Sequence, residues 1–75
     1  IMIAKKDIKR GTKIQAKSVV MVVTGESETA FLGYVLYKGK PAGQISLAFD
    51  MFENPHYNSD LVIIGWQKEE RPFQT

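Results

Sequence analysis

Apolar residues fall in short runs along this chain, and turn signals separate the runs. The runs are rich in β-branched and aromatic residues, which favour strands over helices. Glycine-containing turns are predicted at residues 9–11 and 38–43, with an acidic hairpin tip at 25–28. The pattern therefore predicts strands over residues 12–16, 18–24, 30–38, 44–47 and 61–67.

One segment has helical rather than strand periodicity. Apolar residues between Leu47 and Phe52 recur at the spacing of one helix face. Ser46 is a candidate N-cap, and the Asn54-Pro55 pair is a stop signal. We therefore predict one helical turn over residues 48–53, followed by a loop over residues 55–60.

Length and composition fit this picture of a small β domain. The chain has 75 residues, of which 44% are hydrophobic and 24% are charged, as in an ordinary soluble globular protein. It has no cysteine, which excludes disulfides, thiolate zinc sites and a cysteine nucleophile. The prediction is an all-β single domain over residues 1–67. Its five to six strands form a compact small barrel or β-clip, and residues 68–75 form a polar C-terminal tail.

Three predicted strands carry more apolar residues than one buried face needs. A strand with one face in water should alternate between apolar and polar residues. Residues 19–23, 31–37 and 61–64 are instead almost continuously apolar. Two explanations stay open: a tightly closed small barrel, or a second copy or partner that covers the outer face.

Charge is distributed unevenly along the chain. The net charge is +2, but residues 1–17 hold six basic residues against one acidic residue. That segment is therefore +5 and the remainder is −3. The basic residues either solubilise turns and edge strands or form a patch for phosphate or an acidic partner. The candidates for such a patch are Lys5, Lys6, Lys9, Arg10 and Lys13.

No constellation of residues predicts catalysis. A nucleophilic triad needs a serine, a histidine and a carboxylate in a defined geometry. His56, Ser59 and Asp60 share one short loop, where that geometry is rare. Asp50, Glu53 and His56 are three residues apart, but a proline interrupts the helix that would align them on a metal. We therefore expect no enzymatic activity, no metal site and no cofactor.

Aromatic residues supply the candidates for a contact surface. Those expected in the core are Phe31 or Tyr34, Phe49 and Trp66. Tyr37 and Tyr57 flank polar turns and are expected to be exposed, and exposed tyrosines are common in protein interfaces. With the neighbouring loop they give the predicted protein-contact residues Tyr37, Asn54, His56, Tyr57 and Asn58.

The segment 3–14 resembles the opening motif of the SAF domain family, with Ala4, Asp7-Ile8 and Gly11 at the family's spacing. That family includes type III antifreeze proteins, the C-terminal domains of sialic acid synthases, and pilus or flagellar assembly chaperones. Segments 32–33, 41–43 and 50–51 resemble later parts of the same fold, so the resemblance covers residues 3–52. It implies a β-clip used for binding and assembly. The lysine-rich opening differs from the uncharged antifreeze face, so ice or sugar binding is not implied.

A competing resemblance is to small SH3-like bacterial barrels, through Gly11, Lys17-Ser18 and the Met21-Val22-Val23 run. A helical turn before the last strand suits that fold. Residues 57–67 also add a strand beyond the β-clip pattern.

Together these features favour a non-catalytic binding module that acts through protein–protein interaction or assembly and associates with itself. The expected partner is another protein or a second copy of this chain. The alternative is a small barrel that binds nucleic acid through its basic N-terminal segment. No apolar run reaches the roughly 20 residues of a membrane span, so no membrane partner is expected and a cytoplasmic location is predicted.

Overall fold

The computed structural model describes residues 3–68, which contain five antiparallel strands in one open sheet. The strands are β1 (Thr12–Ala16), β2 (Val19–Glu26), β3 (Ala30–Tyr37), β4 (Lys40–Ala48) and β5 (Leu61–Trp66). A single 3-10 turn, Lys5–Asp7, precedes the sheet. Two short helices, α1 (Phe49–Glu53) and α2 (Pro55–Asn58), connect β4 to β5. The predicted all-β class is confirmed. The predicted tail lies outside the described residues, apart from Lys68.

The sheet order is β4-β3-β2-β1-β5. The first four strands follow one another as neighbouring hairpins, and β5 returns to pair with the free side of β1. Strands β4 and β5 are therefore the two edges of the sheet. The predicted turn at residues 38–43 was too long. Lys38 and Gly39 both have positive φ, as a two-residue hairpin turn of type I′ requires, so β4 already begins at Lys40.

The connection between β4 and β5 also differs in part from its prediction. The helical turn expected over residues 48–53 is confirmed as α1. The loop expected at residues 55–60 is wrong, because its first part is helix α2. Asn54-Pro55 ends one helix and starts the next: the Asn54 side chain accepts a hydrogen bond from the His56 amide, and Pro55 takes the first helical position.

The main core lies between one face of the sheet and the segments that pack on it. Phe31 on β3 anchors this core, since its ring meets the rings of Phe49 and Phe52 edge to face. The centroid distances are 4.9 Å and 5.3 Å, within the favourable range for aromatic pairs. The buried cluster consists of Ile8, Ile14, Met21, Val23, Phe31, Leu47, Phe52 and Leu61.

The other face of the sheet is covered at its centre by the chain itself. Val22 on β2 is fully buried, and the buried Tyr34 lies directly opposite it on β3. The Gln67 side chain reaches across from beyond β5 and donates a hydrogen bond to the Tyr34 hydroxyl at 2.8 Å. The chain itself therefore covers residues 21–23 in the apolar run of β2, whereas Val19 at the start of the run is 39% exposed. The run in β5 does not share this protection.

Candidate functional site: the exposed strand β5

Strand β5 presents large apolar side chains to solvent. Val62 is 53% exposed, Ile63 39% and Ile64 47%. Strand β5 pairs with β1 on one side, and no strand among residues 3–68 pairs with its other side. We call the unpaired side of β5, with Val62, Ile63 and Ile64, the β5 edge. Unpaired apolar edges are ready templates for pairing with another chain.

The register of β5 explains why both of its faces are apolar. Ile63 lies opposite the buried Ile14, whereas Val62 lies opposite Gln15 and therefore on the other face of the sheet. The register then shifts after Ile63, so Ile64 has no direct partner on β1. The strand thus exposes apolar side chains on both faces of the sheet. Such a composition is typical of strands that are covered on both faces.

The opposite edge of the sheet is built differently. Strand β4 begins Lys40-Pro41-Ala42-Gly43-Gln44, and all five residues are exposed. Pro41 has no backbone donor, and lysine and proline are residues by which natural sheets block edge pairing. The β5 edge carries neither. Among the described strands, the sheet therefore protects one edge and leaves the other open.

The two ends of β5 carry opposite charges. Asp60 immediately precedes the strand, and Lys68 follows it by two residues. Lys9 also lies at this second end, because its Nζ is 5.5 Å from the centroid of the Trp66 ring. Among the described residues, β5 thus has a carboxylate before its start and ammonium groups near its end, and the glutamates at positions 69–70 follow Lys68 in the sequence.

Trp66 is 53% exposed, so the expectation that it lies in the core is wrong. Its Nε1–H donates to the carbonyl of Arg10 at 2.7 Å, which draws the indole back over the turn at residues 10–11. A β-carbon at Gly11 would collide with the indole nitrogen. The ring is therefore held in place although it faces solvent. We call Trp66, with Lys9 and Arg10 beside it, the Trp66 platform.

The predicted basic patch is only partly assembled. Lys5 Nζ lies 3.8 Å from the centroid of the Phe49 ring, whereas Lys9 faces Trp66. Lys13 lies on the face of the sheet opposite to Trp66. Of the five predicted basic residues, Lys5, Lys6 and Lys9 are exposed, and Arg10 and Lys13 are half-buried. The chain thus brings Lys9 and Arg10 to an aromatic side chain that is distant in sequence.

The predicted protein-contact residues separate into two groups. Tyr37 is 64% exposed and lies at the β3–β4 turn, on the β4 side of the sheet. Asn54, His56 and Tyr57 are exposed at α2, which leads into β5 at the other edge. The exposure expected for Tyr37 and Tyr57 is confirmed, but the strand order does not place the two side by side.

Asn58 needs a correction, because it is fully buried. Its Oδ1 accepts from the Ile3 amide at 2.8 Å. Its Nδ2 donates to the carbonyls of Ile3 and Phe52 at 2.9 Å and 3.0 Å. Asn58 therefore fixes the start of the chain to the helical connection and is not available to a partner.

Among the described residues, one cleft of about 270 Å³ is lined by Ile3, Ala4, Lys5, Phe52 and Glu53. Another cleft, of about 350 Å³, lies over β2, β3 and β4. It is lined by Thr24, Leu32, Gly33, Tyr34, Gln44, Ile45 and Ser46, without a carboxylate, histidine or lysine. Between residues 3 and 68, no three histidine or carboxylate side chains are grouped closely enough to hold a metal ion.

Within residues 3–68, none of the helices has the length and apolar character needed to cross a membrane. Comparison of the chain with protein-family models, with curated proteins and with solved structures finds no significant match.

Proposed function

We propose that this domain is a non-catalytic binding module that assembles with a second copy of itself through the β5 edge. The observation that carries the proposal is the exposure of Val62, Ile63 and Ile64 on a strand whose outer side is unpaired. Pairing a strand against this side would satisfy its backbone groups and remove apolar surface from water. Each square ångström of apolar surface so buried contributes about 25 cal/mol.

Charge supports a second copy as the occupant. Most symmetric dimers have a two-fold axis, and two β5 strands related by such an axis perpendicular to the sheet run antiparallel. Asp60 at the start of one strand then lies towards Lys68 at the end of the other, and the same contact repeats at the opposite end. A parallel arrangement would bring like charges together. The antiparallel pair extends the two five-stranded sheets into one continuous sheet.

The fold that best accommodates this assembly is the SH3-like small barrel. The hydrogen bond from Gln67 to Tyr34 supports strong curvature, because β1 and β2 lie between β5 and β3 in the sheet. The helices before the last strand also suit that fold. Strand β5 lies beyond the part of the chain that resembles the β-clip, yet it pairs along the whole of β1. These features favour the barrel over the β-clip.

Placing a charge on the β5 edge should abolish the dimer. At high micromolar concentration, light scattering coupled to size exclusion should give the wild-type protein a mass of twice 8.5 kDa. Ile64→Lys should return it to 8.5 kDa, because a lysine would replace apolar surface beside the newly paired strand and repel the lysine of its copy across the pair. Ile64 is already half exposed, so the variant should keep the circular dichroism of the wild type.

The matched control is Gln44→Lys, which adds the same charge to an exposed position on the β4 edge. It should leave the dimer intact. A wild-type chain that stays at 8.5 kDa up to high micromolar concentration would overturn the proposed self-assembly. Equal loss of the dimer in both variants would move the interface away from β5.

A further inference from the structure

We propose that the Trp66 platform is a binding site for single-stranded nucleic acid, on which one base stacks against the indole while a backbone phosphate contacts Lys9. This site is separate from the β5 edge and goes beyond the proposed self-assembly. Aromatic platforms beside cationic side chains are the usual means of holding single strands without reading their sequence.

The first support is that an exposed indole is fixed rather than free. Its nitrogen is already bonded to the Arg10 carbonyl, so the site does not need the indole N–H for recognition. The glycine at position 11 gives the ring room to lie close to the turn. A ring held in its bound orientation loses little conformational entropy when a base stacks on it. Trp66 is therefore preorganised as a stacking surface.

The second support is the charge around the ring. Lys9 Nζ lies over one face of the ring, 5.5 Å from its centroid. A base therefore stacks on the opposite face or displaces the ammonium group, which then meets the phosphate of the stacked nucleotide. Lys9 belongs to the N-terminal segment that carries +5. A cationic surrounding of this kind favours an anionic ligand over a neutral apolar one.

The platform remains open when two β5 strands pair. Trp66 lies opposite Thr12 and leans towards Arg10 of its own chain, away from the unpaired side of β5. The dimer proposed above would therefore carry two platforms. The site should also persist in the Ile64→Lys variant, so a failure of the dimer and a failure of the platform give different results.

Tryptophan fluorescence tests the site directly, because Trp66 is the single tryptophan of the chain. An oligodeoxythymidylate of about 12 nucleotides, within the site size of one small domain, should quench the emission saturably. The affinity should fall about threefold per phosphate contact as salt rises from about 50 mM to 200 mM, because phosphate contacts release counterions.

Variants separate stacking from general charge, with binding followed by the anisotropy of a labelled oligonucleotide. Trp66→Leu should weaken binding about tenfold, the loss expected for one stacked base. Lys9→Gln should weaken it several-fold and reduce its salt dependence. Lys9 is exposed, and the structure uses its backbone amide rather than its side chain to bond Thr12, so this variant should fold normally.

The chain supplies a matched pair of controls in Tyr37 and Lys38, whose Nζ also lies 5.5 Å from an exposed aromatic ring. Tyr37→Leu and Lys38→Gln should leave binding unchanged. Absence of quenching at about 50 mM salt would overturn the proposal. Losses of affinity in the control variants equal to those of the Trp66 and Lys9 variants would also overturn it, because binding would then not be located at the platform. Quenching by polyglutamate equal to that by the oligonucleotide would overturn it too, since it would show a response to charge alone.

Discussion

Replacing Asn58 with alanine should lower the free energy of unfolding by about 3 kcal/mol. Its amide makes three hydrogen bonds inside the protein, two to Ile3 and one to Phe52. Alanine would leave those three backbone groups without their partner in a place that water reaches poorly. A domain of this size has a total stability of only about 4–11 kcal/mol, so the loss would be a large part of it. Urea unfolding followed by circular dichroism measures the effect.

Asn54→Ala is the control for this prediction. Asn54 lies at the start of the same helix, but it is exposed and its side chain accepts one bond, from the His56 amide. Loss of such a cap costs about 1 kcal/mol. Asn58→Asp should resemble Asn58→Ala, because a carboxylate cannot donate to the Ile3 and Phe52 carbonyls. Equal stability losses for the Asn54 and Asn58 variants would contradict the role assigned to the buried amide.

Gly11→Ala should destabilise the domain by about 3 kcal/mol and disturb the end of β5. Gly11 has φ of +95°, where a β-carbon is strained. That β-carbon would also collide with the Gln67 carbonyl oxygen and with the indole nitrogen of Trp66. The backbone of Gly11 bonds Val23 on β2 and Gln67 beyond β5, so the turn cannot move without breaking a strand contact. Urea unfolding gives the stability, and the native emission of Trp66 should change as well.

Gly39→Ala separates the collision from the strained backbone. Gly39 also has positive φ, at +78°, but a β-carbon there meets nothing within 4 Å. The expected loss is about 1 kcal/mol, from backbone strain alone. If both variants lowered the free energy of unfolding equally, the collision at Gly11 would make no contribution to it.

The strand pattern could be predicted from the sequence because it depends on local chemistry. The turn signals on either side bound Thr12–Ala16 correctly, and the apolar run after Asp60 marks β5. The start of β4 could not be located, because Lys40 and Pro41 suit a turn as well as an exposed edge strand. Helix α2 could not be predicted, because Asn54-Pro55 is a signal both for the end of one helix and for the start of another.

The candidate site depended on contacts that no local pattern records. The sequence alone predicts Trp66 in the core, because large aromatic residues of small domains usually lie there. Its exposure follows from its position on an edge strand and from its bond to Arg10, 56 residues away. Asn58 is polar and lies in a predicted loop, so the sequence predicts it at the surface. Its burial depends on its bond to Ile3, which is 55 residues away. The apolar run of residues 61–64 did carry a signal for the β5 edge, as one of three runs with too many apolar residues.

The pairing of β5 with β1 also has a consequence for how the domain folds. Strands β1 to β4 form successive hairpins between near neighbours in the sequence, whereas β5 must close a loop of some fifty residues to reach β1. Because closing a longer loop costs more entropy and long-range contacts form slowly, this closure should be the late step of folding. Until β5 has paired, β1 is an open edge of the sheet and carries Ile14. The β5 strand of a neighbouring chain can then pair with β1 in place of the chain's own β5. Exchange of this last strand between copies would then compete with correct folding at high concentration.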